Sequence, residues 1–177
     1  MRRRAKAVNF AVIYGTTVYG LADQIGGTTK EAQEIIRSFY LSYPEVGSYL
    51  NSIINDVEHN GFVTTMFGRR RYLRDITDTN YAKREAAKRA ALNAPVQGSA
   101  ADLIKIAMLH IDEFLQKGHF KTQMVLQIHD ELLFKVPDEE ASIVTDKLKD
   151  LMIHAVDLPV KLTVEGGIAK TWYDTKN

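Results

Sequence analysis

The sequence has no cysteine, so disulfides and thiolate metal sites are excluded, and a reducing, cytoplasmic setting is expected. It also lacks any apolar run of about 18 residues, the length a membrane-spanning helix needs. The basic start Arg2-Arg3-Arg4 precedes an apolar stretch in the manner of a signal peptide. Asn9 interrupts that stretch, however, and no small-residue cleavage site follows. Neither internal repeats nor low-complexity segments are present. Nor is there an excess of one charge, since 23 Lys and Arg stand against 22 Asp and Glu for a net charge of +1.

What is present is a chain long enough, and 45% hydrophobic, to bury a real core in one large domain or two small ones. Its cations are grouped. Arg2, Arg3, Arg4 and Lys6 form one cluster, Arg69, Arg70, Arg71 and Arg74 a second, and Lys83, Arg84, Lys88 and Arg89 a third. Acids gather at Asp138, Glu139 and Glu140. Such clusters suit a phosphate-binding track, although charge alone favours three solvated faces.

Periodicity predicts helices over 2–14 (stopped by Gly15) and 17–25 (ended by Gly26-Gly27). A third starts with a Thr28–Glu31 capping box and buries Ile35, Ile36, Phe39 and Tyr40. A fourth opens at Pro44 and turns Val46, Tyr49, Leu50, Ile53, Ile54 and Val57 to one face. A hairpin follows, Phe62 to Met66 and Arg70 to Leu73, around Gly68. The next helix is expected from Tyr81 with a break near Pro95, restarting at Ser99 and running to Lys117 on a stripe of Ile104, Met108, Ile111 and Leu115. Two strands then flank His129-Asp130. A helix with Val144, Leu148, Leu151 and Ala155 inside comes next, and Val160, Leu162 and Val164 alternate as a last strand.

The fold class is thus α+β, a mostly helical first part and an antiparallel sheet with packed helices, with a boundary between about 68 and 80. The order of the second part, helix, strand, strand, helix, strand, fits a ferredoxin-like split βαβ unit without its first, central strand. Loss of a central strand leaves unpaired backbone edges. Closure by rearrangement of the sheet, or by pairing with another copy of the chain, is therefore expected.

Arg2, Lys6, Phe10 and Tyr14 recur every four residues, which puts them on one broad face of a helix. Cations suit triphosphate oxygens and flat aromatics suit a sugar and a base, while Gly15 would let another segment approach the backbone. An amphipathic helix with a solvated basic end and core aromatics accounts equally well for the spacing.

The literal string of residues 2–15, RRRAKAVNFAVIYG, resembles the nucleotide-binding fingers helix of bacterial family A DNA polymerases. Residues 65–73, TMFGRRRYL, resemble the hairpin after those fingers, and residues 89–102, RAALNAPVQGSAAD, the helix along the minor groove of primer and template. Residues 125–132, VLQIHDEL, resemble the metal-binding turn of the palm, and Thr171-Trp172-Tyr173 is similar to the family's ending. These motifs occur in the family's order over nearly the whole chain.

The resemblance implies template-directed DNA synthesis, nucleotidyl transfer from a dNTP to a primer 3′-hydroxyl in replication and repair, by a bacterial, nucleoid-associated enzyme. Residues 1–75 would be fingers and 76–177 the C-terminal part of the palm. It implies that Arg2 and Lys6 grip the triphosphate, that Phe10 packs on the sugar and disfavours sugars without a 3′-hydroxyl, and that Tyr14 guards the template-base position. Gly15 would let the template pass. Arg89, Asn93 and Gln97 would contact the duplex through minor-groove acceptors common to all base pairs. His129 would sit at the primer terminus, Asp130 would hold metal and Glu131 would support that site, so that Asp130, Lys6 and Glu131 carry the chemistry. On its own, Asp130 would read as an ordinary turn residue.

Two magnesium ions, about 3.5–4 Å apart, serve such transfers, and they need carboxylates from two places. The family's other aspartate lies in an Asp-Tyr-Ser-Gln-Ile-Glu segment upstream of the fingers helix, which these 177 residues do not contain. The glutamate of that segment, which excludes ribonucleotides, is missing with it. The strand bearing it is the central one lacking from the split βαβ order. The expectation is of a shortened chain whose Met1 is not a natural start and which is inactive alone. A non-catalytic DNA- or nucleotide-binding module is the alternative. A metal phosphohydrolase on His129-Asp130 is rejected, because His59, His110, His119 and His154 supply no ligand pattern.

Overall fold

The computed structural model describes residues 2–176, and side chains for residues 4–175. It divides into two compact units, Met1–Ser99 and Ala100–Asn177. The boundary falls inside a helix, later than the 68–80 stretch expected from the sequence.

In the first unit, α1 (Arg2–Ile13), α2 (Val18–Ile25), α3 (Thr29–Ser42) and α4 (Pro44–Asn60) precede an antiparallel hairpin of β1 (Phe62–Thr64) and β2 (Arg70–Tyr72). The punctuation is local chemistry. The Thr17 and Thr28 side chains accept from the amides of Gly20 and Glu31 at 3.2 Å each, which caps α2 and α3. Pro44 sits in the first turn of α4, where its missing N–H costs nothing. The carboxylate of Glu31 pairs with the Arg4 guanidinium on α1.

Two apolar clusters hold this unit. Ala11, Leu21, Ala22 and Ala32 join α1, α2 and α3. Val12, Leu50, Ile53, Val57, Val63, Leu73 and Ile76 pack with Ala87, Ala91 and Ala94 of α5 (Tyr81–Lys117). Tyr40, expected to be buried, is 36% exposed, and Tyr49, expected on the apolar face of α4, is 53% exposed. Burial raises the Tyr40 hydroxyl pKa above its usual value all the same.

Helix α5 runs unbroken through Pro95, against the break expected there. Proline forfeits one helical hydrogen bond and crowds the carbonyl four residues back, at about 3 kcal/mol. Here Ala91, Ala94 and Pro95 are all buried, and the packing of this turn outweighs that penalty.

In the second unit, the end of α5, a hairpin of β3 (Gln123–Ile128) and β4 (Glu131–Lys135), and α6 (Ala141–Ile153) surround Ile111, Leu115, Val144 and Leu148. Met124, Leu132 and Phe134 pack against this cluster from the hairpin. Pairing shifts between Met124 and Leu126, so Val125 is the extra residue of a bulge. A bulge reverses the inside-outside alternation beyond it, and Leu126 is accordingly left 47% exposed opposite Leu133.

The last strand expected, Val160 to Val164, does not form, and residues 155–172 are irregular. Leu162 and Val164 are still half-buried between exposed neighbours, but Val160, expected on the same face, is exposed. The ladder partner that the split βαβ order assigns to this strand is not among the described residues. Nor does the sheet rearrange within the chain, for among the described residues β3 and β4 pair only with each other.

Candidate nucleotide, DNA and metal site

Helix α1 and the turn that follows it present Lys6, Phe10 and Tyr14 in a row. The Lys6 Nζ lies 5.6 Å from the Phe10 ring centroid. The Phe10 and Tyr14 rings follow at 5.4 Å and 30°. Lys6 and Phe10 are exposed and Tyr14 is half-buried, so a cation, a flat apolar ring and a phenol face outward in sequence. The opposite side of the helix is spent on packing, since Ala11 and Val12 are buried. The side chain of Arg2, expected to help grip a triphosphate, lies outside the described residues.

The row ends at Gly15, whose φ is +61°. A Cβ there would stand 2.9 Å from Leu92 Cδ1 and 3.5 Å from Arg89 Cγ. Glycine is required twice over, for the backbone angle and for the close approach of α5. The segment Gly15 admits is α5 itself, so the end of the α1 row meets the start of the Arg89, Asn93, Gln97 row within one compact unit. Arg89 and Gln97 are exposed and Asn93 is half-buried. The Asn93 Oδ1 is buried without a hydrogen-bond partner. A carbonyl left so commonly marks a place completed by water or ligand.

The β1–β2 hairpin brings further cations to this unit. The Arg70 guanidinium stacks 4.6 Å from the Phe62 ring centroid, and Arg71 and Arg74 are exposed. Sequence reasoning grouped these arginines, but not the contacts that hold them.

In the second unit, His129 and Asp130 form the loop between Ile128 and Glu131, which pair across the hairpin. His129 has φ +54°. A positive angle at the first loop residue is the sign pattern of a II′ turn, where glycine is usual. The Gln127 side-chain amide donates to the His129 carbonyl at 3.0 Å. Both His129 and Asp130 are exposed, with the carboxylate at the hairpin tip. Glu131, next in the chain, opens β4.

As a metal site, this set is partial. Magnesium is commonly held by one or two carboxylates together with substrate phosphates, and Asp130 offers one accessible carboxylate. No group of three or more His, Cys, Asp or Glu that could hold a metal occurs among the described residues. Likewise, no described helix is long and apolar enough to cross a membrane.

Beyond the site, Glu140 is the residue that sequence reasoning missed. In the sequence it stands only as one of three gathered acids. Its carboxylate instead accepts from the Lys121 and Thr122 amides at 2.8 and 2.9 Å and from the Thr122 hydroxyl at 2.6 Å, tying the entry of β3 to the start of α6. The Thr122 hydroxyl first, then the Lys121 amide, hold its pKa below the usual carboxylate value.

Comparison with known proteins gives consistent matches. The family described as DNA polymerase family A matches residues 1–174. Over 176 residues the chain is 46% identical to DNA polymerase I of Caldicellulosiruptor bescii and 44% to that of Geobacillus stearothermophilus. Each alignment takes in 99% of this chain but only 21% and 20% of those proteins, so the chain spans about a fifth of their length. A solved structure, the polymerase domain of Pol1 from M. smegmatis in complex with DNA primer-template and dNTP, superimposes with a TM-score of 0.93 at 38% identity. It covers 99% of this chain and 31% of that one.

Proposed function

Because the chain belongs to DNA polymerase family A, we propose that it supplies the nucleotide-gripping and duplex-contacting parts of a template-directed DNA polymerase, together with half of its metal site. The observation that carries this reading is the junction at Gly15. There the Lys6, Phe10, Tyr14 row of α1 meets Arg89 on α5 in one compact unit, so a nucleotide face and a duplex face are built on a shared core.

In this reading Lys6, with Arg2, binds the triphosphate, Phe10 packs on the sugar and Tyr14 closes the template-base position. Arg89, Asn93 and Gln97 hold the primer-template duplex, and His129 orients the primer end. Toward the acceptors of the minor groove, Asn93 would donate through its side-chain amide nitrogen. Residues 1–75 act as fingers and 76–177 as palm, a division by task that differs from the division by packing at Ser99 and Ala100. The polymerase would work on the DNA of a bacterium, in the cytoplasm at the nucleoid, in replication and repair.

Asp130, supported by Glu131, is the carboxylate that would hold magnesium. Magnesium bound there would offset phosphate charge during transfer of a nucleotidyl group to a primer hydroxyl. Positioning falls to the residues named above.

Taken alone, the 177 residues carry one such carboxylate where the two-ion chemistry asks for donors from two places. We therefore assign the isolated chain DNA and nucleotide binding without synthesis. Primer extension with magnesium and all four dNTPs tests this; clear synthesis by the chain alone would sink the inactivity assignment. Duplex affinity that falls steeply with salt supports the phosphate track, and a flat response would refute it. The bare edges of the two-stranded β3–β4 sheet further favour self-association, which sedimentation over a range of concentrations would reveal. A strictly monomeric chain at high concentration would end that idea.

A further inference from the structure

The loop of the arginine hairpin is fastened to α5 at one place. The Met66 amide donates to the Ser99 hydroxyl at 2.9 Å, and that hydroxyl donates in turn to the Pro95 carbonyl at 2.5 Å. The Arg69 guanidinium donates to the Gly98 carbonyl at 3.0 Å. Thr65, whose Oγ1 accepts from the Phe67 and Arg69 amides at 3.3 and 3.2 Å, presses its methyl group against Gly98. A Cβ at Gly98 would stand 2.7 Å from that methyl. Thr65 and Ser99 are both buried, while Met66, Phe67, Arg70 and Arg71 around them are exposed.

The hairpin's strands span three residues each, and an isolated ribbon of that size is marginal in water. Its tip is therefore held by the bonds to α5 in addition to its own closure between Thr65 and Arg69. Those bonds fall on the turn that carries Gln97, at the end of the Arg89, Asn93, Gln97 row.

We propose that Pro95–Ser99 of α5 is a seat for the arginine hairpin, with Ser99 a positioning residue that fixes Arg69, Arg70 and Arg71 beside Gln97 as one phosphate-contacting surface. This rests on the DNA-binding reading above. Its physical content is preorganisation, because cations already held in place lose less freedom when they meet phosphates. The serine hydroxyl suits the task because it accepts from one segment and donates to the other.

The test uses the whole chain and three variants, Ser99→Ala, Ser99→Thr and Arg71→Gln, each checked for native helical content by circular dichroism. Hydrogen exchange at the Met66 amide reports the seat, and binding of a fluorescent primer-template duplex across a salt series reports the surface. Ser99→Ala leaves the Met66 donor unsatisfied and should speed its exchange about tenfold or more. Duplex affinity should weaken and the slope of log affinity against log salt should become shallower, by about one for each phosphate that is no longer neutralised. Ser99→Thr keeps the hydroxyl and should restore both. Arg71→Gln should reduce the salt slope while leaving Met66 exchange unchanged.

Unaltered Met66 exchange in folded Ser99→Ala overturns the seat. Faster exchange with unchanged affinity and slope overturns its role in gripping DNA. A wild-type chain that shows no salt-dependent duplex binding overturns the DNA-binding reading itself, and the exchange data still decide whether the seat exists.

Discussion

Glu140 and Thr122, 18 residues apart, are joined through both polar groups of the threonine, whose amide and hydroxyl donate to one carboxylate oxygen at 2.9 and 2.6 Å. The bonds need the ionised carboxylate, and Glu140 accordingly has a lowered pKa, through the Thr122 hydroxyl first and the Lys121 amide next. A carboxyl group whose folded pKa lies below its unfolded value contributes stability above the unfolded value, here about 4.5. That contribution is lost as pH falls through the folded value. We expect Glu140→Gln to lower the urea midpoint at pH 7, and the gap from wild type to close as the pH is taken below 4.5. A gap that persisted at acid pH would mean that the carboxylate charge is not what holds the clasp.

His129 occupies positive φ at the tip that bears Asp130, a conformation that costs a residue with a Cβ roughly 1 kcal/mol relative to glycine. His129→Gly should therefore exceed His129→Ala in stability by about 1 kcal/mol, measured by urea unfolding at neutral pH. Equal stabilities would show that the turn relaxes to another geometry once the imidazole is gone.

At Gly15 the sign reverses. Any Cβ meets Leu92 Cδ1 at 2.9 Å and the backbone sits at φ +61°. Gly15→Ala should destabilise the chain by about 1–3 kcal/mol. It should also loosen α1 against α5, so that affinity for a fluorescent dNTP falls with stability. A loss below about 0.5 kcal/mol, the range of ordinary surface changes, would count against the close approach.

Lys6 is exposed and leans over Phe10, free to meet an anionic ligand. Charge-assisted hydrogen bonds contribute roughly 1.5–3 kcal/mol, so Lys6→Ala should weaken dNTP binding about tenfold or more with little change in unfolding midpoint. Titration of a fluorescent dNTP would check this. An unchanged dissociation constant would remove Lys6 from the nucleotide site.

Much of this molecule is legible in its sequence because its signals are local. The Thr28 cap on the Glu31 amide, Pro44 at a helix start and the stripe Ile104, Ile111, Leu115 all act within a turn or two of themselves. What escaped reading depends on partners far along the chain. Pro95 looked like a break, since nothing nearby reveals that Ala91 and Ala94 bury their side of the helix in the α4 core. Val160 to Val164 looked like a strand, and part of its alternation survives in the half-buried Leu162 and Val164. A strand, however, is a relation to a neighbour, not a property of the segment. Ser99 and Glu140 carry no signature at all, because a hydroxyl or carboxylate is committed only by the amide it meets, 33 residues away for Ser99 and 18 for Glu140. The candidate site was legible as identities and spacing along α1 and α5, while its junction at Gly15 depended on Leu92.

The bulge at Val125 and the edges of the β3–β4 ribbon, unpaired among the described residues, have a consequence for reconstitution. A ribbon stiffened from one face only is a receptor for extended peptide, and backbone pairing asks little of the guest's side chains. A synthetic strand added in trans would dock there if it alternated apolar and polar residues and carried an aspartate at its end. On the function proposed above, such a strand would carry a second acid to the hairpin that bears Asp130, and split-protein complementation would test whether it docks.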